Sequence, residues 1–294
     1  MSRRGWFLFL LTGLLWGVPY LFIRVAVDPD DGFTPATVVF LRTVIGAAIL
    51  IPWALHQKSL GSAFRGLKYV TPYAFLEMIG PWILIGTAEQ KISSGLAGLL
   101  VASVPIWATI FASLYGDKTV WQRSRLFGLA LGFVGLIFVV GIESITGTSD
   151  PLSVIMVLVA ALMYSYAVMF VQRGLPGVSG IAINAVAMLF TALFYLPFTV
   201  AQWPEHEISS SAIWSVVGLG VLSTGFAFAF FFALLPIIGV ARASLVTYLN
   251  TAFAVVLGII LLEEDFTLGI KIGVPLVLIG SYFASRKKQE KVDA

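Results

Sequence analysis

The chain has 294 residues, of which 59% are hydrophobic and 11% charged, with a formal net charge of +3. Soluble domains carry about 25% charged residues, so this composition, with a mean hydropathy of +0.97, excludes an ordinary water-soluble fold. The small and dispersed net charge argues against nucleic acid as a partner. The absence of cysteine excludes disulfides and thiolate–metal sites. The composition therefore predicts an integral membrane protein.

Breaks in hydrophobicity divide the chain into ten predicted helices. They cover residues 5–27, 34–55, 69–88, 92–115, 123–142, 151–172, 180–202, 210–235, 239–262 and 267–285. A helix of about 20 apolar residues is long enough to cross ~30 Å of hydrocarbon. The first one follows Arg3 and Arg4, and we expect it to be retained rather than cleaved as a signal. The third is less apolar than the rest, so nine spans is the alternative count.

The charges between the predicted helices orient the chain. If the N-terminus is cytoplasmic, the segments on that side collect fourteen of the eighteen Lys and Arg residues. The opposite segments collect acidic residues at 28–31, 205–207 and 263–265. Such a bias is what the positive-inside rule predicts. We therefore expect a multi-pass protein with both termini in the cytoplasm.

A weak internal repeat appears when the sequence is shifted against itself by 145 residues. Pairs that coincide are Ile92 with Ile237, Leu100 with Leu245, Gly128 with Gly273 and Gly135 with Gly280. This shift equals five predicted helices, an odd number, so the two halves should lie upside down relative to each other. The predicted fold is an all-α membrane protein of ten transmembrane helices, with inverted five-helix repeats at 1–145 and 146–294. Secondary transporters are often built this way, with the substrate site near the midplane between the repeats.

The fourth predicted helix carries a stripe of small residues that is interrupted by Pro105. Small residues let helix backbones approach closely in lipid, so we expect this stripe to face neighbouring helices. Proline removes one helical hydrogen bond, and Asn250 lies at the equivalent position of the ninth helix. Pro105 is therefore a candidate hinge beside a cavity, and a simple packing kink is the alternative. Pro81, after Gly80, is a second candidate hinge in the third helix.

The sequence resembles the EamA group of the drug/metabolite transporter superfamily. The features that carry the resemblance are the ten spans, the two five-helix halves, the "LLWG" of the first helix (Leu14–Gly17), Arg42 in the second, and the layout of the fourth and fifth spans. The resemblance covers essentially the whole chain. Within the group, the sequence is most similar to bacterial inner-membrane exporters of amino acids, including aromatic ones. It implies a basket-like bundle around a central cavity lined mainly by the first, third, fourth, sixth, eighth and ninth helices. The group has no fixed catalytic signature, so no site residue carries over by motif.

Glu77 is the one acid in the middle of a predicted span. An ionisable residue at membrane depth is costly and is a functional candidate by default, here for binding an amino group or relaying a proton. A structural carboxyl is the alternative. Aromatic side chains can offer a substrate apolar area or a cation–π face, although those near interfaces are often belt residues. The further substrate-binding candidates are Trp82, Trp16, Tyr20, Trp107, Tyr164, Ser223, Tyr248 and Asn250.

Two arginines and two groups of glycines allow alternative interpretations. Arg24 and Arg42 are predicted near the outer ends of the first two helices, beside the acidic residues at 28–31. They form either an interfacial salt-bridge cluster or a gate that can contact a substrate carboxylate. Glycines at 128, 132 and 135 in the fifth helix and at 269, 273 and 280 in the tenth predict packing faces, and a dimer contact is the alternative.

These features favour a secondary transporter that exports small metabolites, above all amino acids, across the bacterial inner membrane by alternating access. We expect no catalytic residues, metal or cofactor, and no enzyme activity, because paired acids or an activated nucleophile at depth are missing from the sequence. Alternatives are export of drugs or other small metabolites in the same fold, and a channel-like facilitator. The expected partners are the small-molecule substrate and membrane lipid, with the chain a monomer or weak dimer.

Overall fold

The computed structural model describes residues 2–116, 122–146, 150–238, 243 and 246–285, and within these it is entirely helical. The helices are α1 (Arg3–Ala26), α2 (Pro35–His56), α3 (Leu60–Arg65), α4 (Leu67–Ala74), α5 (Gly80–Ala88), α6 (Ser94–Val101), α7 (Val104–Leu114), α8 (Arg123–Thr146), α9 (Pro151–Gly174), α10 (Gly180–Ala201), α11 (Ser210–Gly218), α12 (Ala227–Ile238), α13 (Val246–Leu261) and α14 (Leu268–Ser285). Helix lies in each stretch where hydrophobicity predicts it. The short α3 lies outside those stretches.

Six of the described helical stretches are long and apolar enough to cross a membrane. They are Arg3–Ala26, Pro35–His56, Ser94–Leu114, Pro151–Gly174, Gly180–Ala201 and Ser210–Ile238. Shorter apolar helices occupy Leu126–Gly135, Leu249–Leu261 and Leu268–Gly280. The chain is therefore a multi-pass helical membrane protein.

Several helix starts are fixed by side-chain caps. The hydroxyls of Ser93 and Ser209 accept hydrogen bonds from backbone N–H groups three residues on, which satisfies donors that the first turn leaves free. Asp150 begins α9 in the same way, with proline at the next position. The pKa of Asp150 lies below its ordinary value because the hydroxyl and backbone N–H of Ser153 both donate to its carboxylate.

Three apolar stretches are interrupted part-way along. Phe75–Ile79 and Leu219–Phe226 are π-helical, so α4 leads into α5, and α11 into α12, through widened turns. Between α6 and α7 the helix breaks, and Pro105 lies in the first turn of α7. A proline there has no N–H to leave unpaired. The predicted interruption at Pro105 is thus present, while the role of Pro105 and Pro81 as hinges remains a prediction.

The connecting segments gather alternately at two ends of the bundle. We call one the acidic end, formed by residues 27–33, 89–93, 202–209 and 262–267 together with Asp150. At this end Gln90 Nε2 donates to the Val27 carbonyl at 3.2 Å, and the Ser209 nitrogen donates to the Asp31 carbonyl at 2.9 Å. The other is the basic end, formed by residues 57–66, 115–116 and 173–180. There Ser179 Oγ lies 3.1 Å from Gln57 Oε1, and the guanidinium of Arg173 lies 4.1 Å from the Tyr115 ring centroid.

Small residues bring helices from the two parts of the chain into close contact. A Cβ at Gly98 of α6 would lie 2.7 Å from the Ala254 methyl of α13. Gly95, nearer the start of α6, faces Val255, and the Ser94 hydroxyl faces Gly258. Residue numbers rise along α6 as they fall along α13, so the two helices run antiparallel. The small-residue stripe does face a neighbouring helix, as predicted.

The glycines of α8 and α14 pack against each other. A Cβ at Gly280 would clash with the backbone nitrogen of Gly132, and one at Gly135 would lie 2.8 Å from the backbone nitrogen of Val277. These contacts lie within one chain, so the predicted packing faces are present. The expectation that these peripheral helices also form a contact between two copies stays a prediction.

Candidate functional site

The candidate site is organised around Arg42, which lies seven residues, or roughly 10 Å, into α2. It is only 5% exposed. Its guanidinium carbon lies 3.7 Å from the centroid of the Trp82 ring, a cation–π distance. Its Nη2 and Nε donate to the Thr224 hydroxyl at 3.2 and 3.4 Å. Arg42 therefore joins α2 to α5 and to the π-helical segment Leu219–Phe226.

Glycines allow this close approach. A Cβ at Gly46, one turn after Arg42, would lie 2.6 Å from the Thr224 side chain. A Cβ at Gly220 in the facing segment would lie 2.5 Å from Ile45. The Arg42–Thr224 contact thus depends on helices that meet without intervening side chains.

The prediction that Arg42 belongs to an interfacial salt-bridge cluster is wrong. Within the described part of the chain, neither Arg42 nor Arg24 lies within 4 Å of an acidic side chain as an ion pair. Arg24 instead donates from Nη1 to the backbone carbonyl of Glu89 at 2.9 Å, at the acidic end. The two arginines thus have different surroundings, because Arg24 contacts the backbone at the acidic end whereas Arg42 is buried between helices.

Aromatic side chains pack in the same part of the bundle as Arg42. Trp82 and Tyr20 are each 7% exposed, and Tyr164 packs against both of the apolar clusters that contain them. Tyr20 also lies against Gly98, where a Cβ would be 3.3 Å from its ring. Trp82 therefore stacks on the Arg42 guanidinium, while Tyr20 and Tyr164 lie in or against the apolar clusters to which α2 contributes.

Glu77 lies in the π-helical turn before α5 and is partly buried. Its Oε2 atom is buried and has no hydrogen-bond partner among the described residues. The neighbouring Tyr73 donates its hydroxyl hydrogen to Asn184 Oδ1 at 3.1 Å rather than to Glu77. The hydroxyl of Tyr195 donates to the backbone carbonyl of Ile79 at 2.8 Å, at the end of the same turn. Polar side chains of α10 thus support the turn, while Glu77 is left available.

The remaining candidates lie in other surroundings. Trp16 packs against Phe231 and Phe228 of α12, with ring centroids 4.7 and 5.6 Å apart. The Trp107 indole donates to Ser103 Oγ at 3.2 Å, within its own helical stretch. Ser223 is buried, and its hydroxyl has no partner among the described residues.

Two candidates belong to α13. Asn250 Oδ1 accepts from the Thr251 hydroxyl at 3.3 Å, and the Asn250 carbonyl approaches Gly17 of α1. The side chain of Tyr248 lies outside the described residues. Neither is therefore placed in contact with Arg42.

The sequence analysis did not single out Glu89, which follows the last residue of the third predicted helix. The structure buries Glu89 completely, and neither carboxylate oxygen has a hydrogen-bond partner among the described residues. Hydropathy reports only whether a residue can lie in lipid, so it cannot detect a charged residue that a folded loop covers. No motif in the sequence marks this position.

Two cavities lie at the basic end. One cavity of about 190 Å³ is lined by Tyr69, Tyr115, Tyr166, Met169, Phe170, Arg173 and Gly174. A second, of about 270 Å³, lies between Trp53 and Gln57 of the α2 end and Ser179–Ile181 and Phe232. Arg42, Trp82 and Tyr20 are by contrast closely covered by protein.

Comparison with known proteins identifies the family. The model of the EamA-like transporter family matches twice, over residues 3–141 and 151–286. The chain belongs to the EamA-like transporter family. This confirms the predicted family, and no narrower subgroup follows from the match.

Related EamA-like proteins cover nearly the whole chain. The transporter YoaV of Bacillus subtilis is 28% identical over 275 residues, 92% of each chain. The inner membrane transporter YedA of Escherichia coli K12 is 24% identical and covers 93% of this chain and 90% of its own. A solved structure with 16% identity superposes with a TM-score of 0.65 over 97% of this chain and 98% of its own, which shows that the fold is shared.

Proposed function

We propose that this EamA-like protein is a secondary transporter that exports amino acids, including aromatic ones, across the bacterial inner membrane by alternating access. The observation that carries the proposal is Arg42, a buried guanidinium stacked on Trp82 with only a threonine hydroxyl as its hydrogen-bond partner in the described structure. Leaving a buried charge without a counter-charge costs several kcal/mol. A substrate carboxylate would supply that counter-charge and can accept two parallel hydrogen bonds from arginine.

The rings around Arg42 suit the rest of such a substrate. Trp82, Tyr20 and Tyr164 offer flat apolar surface with little side-chain entropy to lose. Glu77 carries a buried carboxylate oxygen without a partner among the described residues, which suits an ammonium group. A single deep arginine also favours a monocarboxylate over a nucleotide or sugar phosphate, which would need several clustered cations.

Two inverted halves, 1–145 and 146–294, are part of this proposal. Supporting it, the family model matches the chain twice. The π-helical turn at Phe75–Ile79 moves to 220–224 under the 145-residue shift, inside the second π-helical segment Leu219–Phe226. Under the same shift the contact between Gly132 and Gly280 becomes that between Gly135 and Val277, and both contacts are present. A pseudo-twofold axis explains all three observations, and such an axis is how inverted-repeat transporters alternate access.

The orientation follows from charge. We propose that the basic end faces the cytoplasm, as the positive-inside rule requires. The cavities at that end and the cover over Arg42 would then correspond to a state closed toward the outside. Because the glycine faces of α8 and α14 are occupied within the chain, we further propose that the transporter acts as a monomer.

Counterflow in proteoliposomes tests the proposal. Vesicles holding purified protein are preloaded with unlabelled L-phenylalanine, and uptake of a labelled trace is measured against a panel of competing amino acids. We expect saturable uptake that amino acids inhibit and that protein-free vesicles lack. Absence of saturable flux for every amino acid would reject the substrate, competition by drugs alone would move the cargo to the alternative class, and flux at ion-channel rates would reject alternating access.

A further inference from the structure

Glu89 is a buried acid that the proposed substrate site does not use. It follows α5 at the acidic end and is 0% exposed. Neither carboxylate oxygen has a hydrogen-bond partner within the described structure. Arg24 donates to the backbone carbonyl of Glu89 and not to its carboxylate.

This environment favours a neutral carboxyl group. An ionised carboxylate that is buried without an ion pair or hydrogen bonds is much less favourable than the neutral acid in the same place, because the charged form loses more hydration. The titratable or charged groups facing it are Tyr20 and Arg24 on α1, Arg42 on α2 and Glu264 between α13 and α14. The arginines favour the charged form and Glu264 opposes it. By hydrogen-bond geometry, neither carboxylate oxygen has a partner among the described residues.

The same end is closed by a contact between the two parts of the chain. Glu264 accepts hydrogen bonds from the backbone nitrogens of Ser94 and Gly95 at 2.6 and 3.0 Å, at the start of α6. A helix N-terminus favours a carboxylate. Gly258 provides the space for this contact, because a Cβ there would clash with Glu264 Oε2. We call this contact the Glu264 seal.

The backbone before the seal is shaped to make it. Glu263 has a φ of 55°, in the left-handed region that residues other than glycine enter infrequently. This residue turns the chain after α13, and the Glu264 nitrogen then donates back to the Gly258 carbonyl at 3.1 Å. The seal is therefore held from both its backbone and its carboxylate.

We propose that Glu89 is a proton-binding site whose occupation is coupled to closure of the acidic end. With the Glu264 seal open, Glu89 at the end of α5 meets water and ionises. Closure removes that water, so the Glu89 carboxylate takes up one proton from the solution at the acidic end. Since the closed form binds the proton more tightly, rising proton concentration favours closure. The role of this coupling in transport rests on the proposed function, whereas the coupling itself does not.

The absence of cysteine from the sequence allows a direct test. One reporter is Ser94→Cys, at a buried side chain behind the seal whose hydroxyl has no partner among the described residues. The other is Ser210→Cys, at an exposed position of the same end. Each is labelled with a hydrophilic maleimide on purified protein in nanodiscs, between pH 5 and 9. The ratio of the two rates removes the common effect of pH on thiol reactivity.

We expect the ratio of Ser94→Cys to Ser210→Cys labelling to rise with pH, by at most about tenfold per pH unit for one proton. Glu89→Gln mimics the protonated acid, so it should hold the ratio low and flat. Glu77→Gln removes the other buried acid and is the matched control, in which the pH dependence should remain.

Three outcomes would overturn the proposal: a flat ratio in the parent, an unchanged slope in Glu89→Gln, or loss of the slope in Glu77→Gln. A ratio that rises as pH falls would also overturn it, because proton binding would then favour the open form. No substrate is added, so failure to find amino-acid flux and failure of the proton coupling are separate results. The parent measurement stands even if a Glu89 variant does not fold.

Discussion

At the scale of single residues, Arg42 shows what the sequence can predict and what it cannot. Its place in the second predicted helix was evident from the sequence, but its depth and partners were not. Trp82 lies forty residues away and Thr224 in the other half of the chain, and both meet Arg42 only after the helices pack. An arginine near acidic residues in sequence predicts a surface ion pair, whereas an arginine covered by aromatic rings is suited to a ligand.

Replacing Arg42 by lysine keeps the charge and removes the planar fork that binds a carboxylate with two hydrogen bonds. A hydrogen bond to a charged group contributes about 1.5–3 kcal/mol. We therefore expect Arg42→Lys to raise the apparent KM for amino-acid counterflow roughly 10- to 100-fold, and Arg42→Gln to raise it further. Arg65→Lys, the same change at an exposed position of α3, should leave KM unchanged. Equal KM for Arg42→Lys and the parent would remove Arg42 from the substrate site.

At the scale of helices, hydrophobicity predicts where they lie but not how they are interrupted. The described spans begin and end within a few residues of the predicted limits, except that the predicted start of the ninth span, at residue 239, lies outside the described residues. The π-helical turns were not predicted, because their wider hydrogen bonding depends on neighbours such as Tyr195, which binds the Ile79 carbonyl. Gly80 and Pro81 did signal a break there. The short α3 was missed because six residues are too few to give a membrane-spanning signal.

Close packing of α8 and α14 gives a prediction about stability. Gly280→Ala places a methyl group against the backbone of Gly132, which cannot move aside as a side chain could. Overpacking of this kind typically costs 1–3 kcal/mol, so we expect a lower Tm in detergent. Gly61→Ala is the matched control, since a Cβ there meets nothing within 4 Å and alanine favours a helix by roughly 0.5–1 kcal/mol. A Tm for Gly280→Ala at or above that of Gly61→Ala would contradict the packing.

At the scale of the whole molecule, the chain is held together by contacts between its first and second parts. Helix α6 meets α13, α8 meets α14, and Arg42 meets Thr224. The small-residue patterns behind the first two were visible in the sequence. The burial of Glu89 and the Glu264 seal were not, because both depend on the conformation that the two parts adopt together. A sequence is shared by every state of a transporter, so it cannot specify which end is closed.

The proposed inverted arrangement makes a prediction for the whole membrane protein. The helical stretch from Ser94 to Leu114 starts beside Glu264 at the acidic end, so the segments after Leu114 and after Leu261 should lie on opposite faces of the membrane. Asp265→Cys and Ser124→Cys, both at exposed positions, report on these segments in an otherwise cysteine-free chain. In intact spheroplasts an impermeant maleimide should label Asp265→Cys, and Ser124→Cys only after lysis. Equal labelling of both before lysis would place the two segments on one face, and a pseudo-twofold axis in the membrane plane could not then relate the halves.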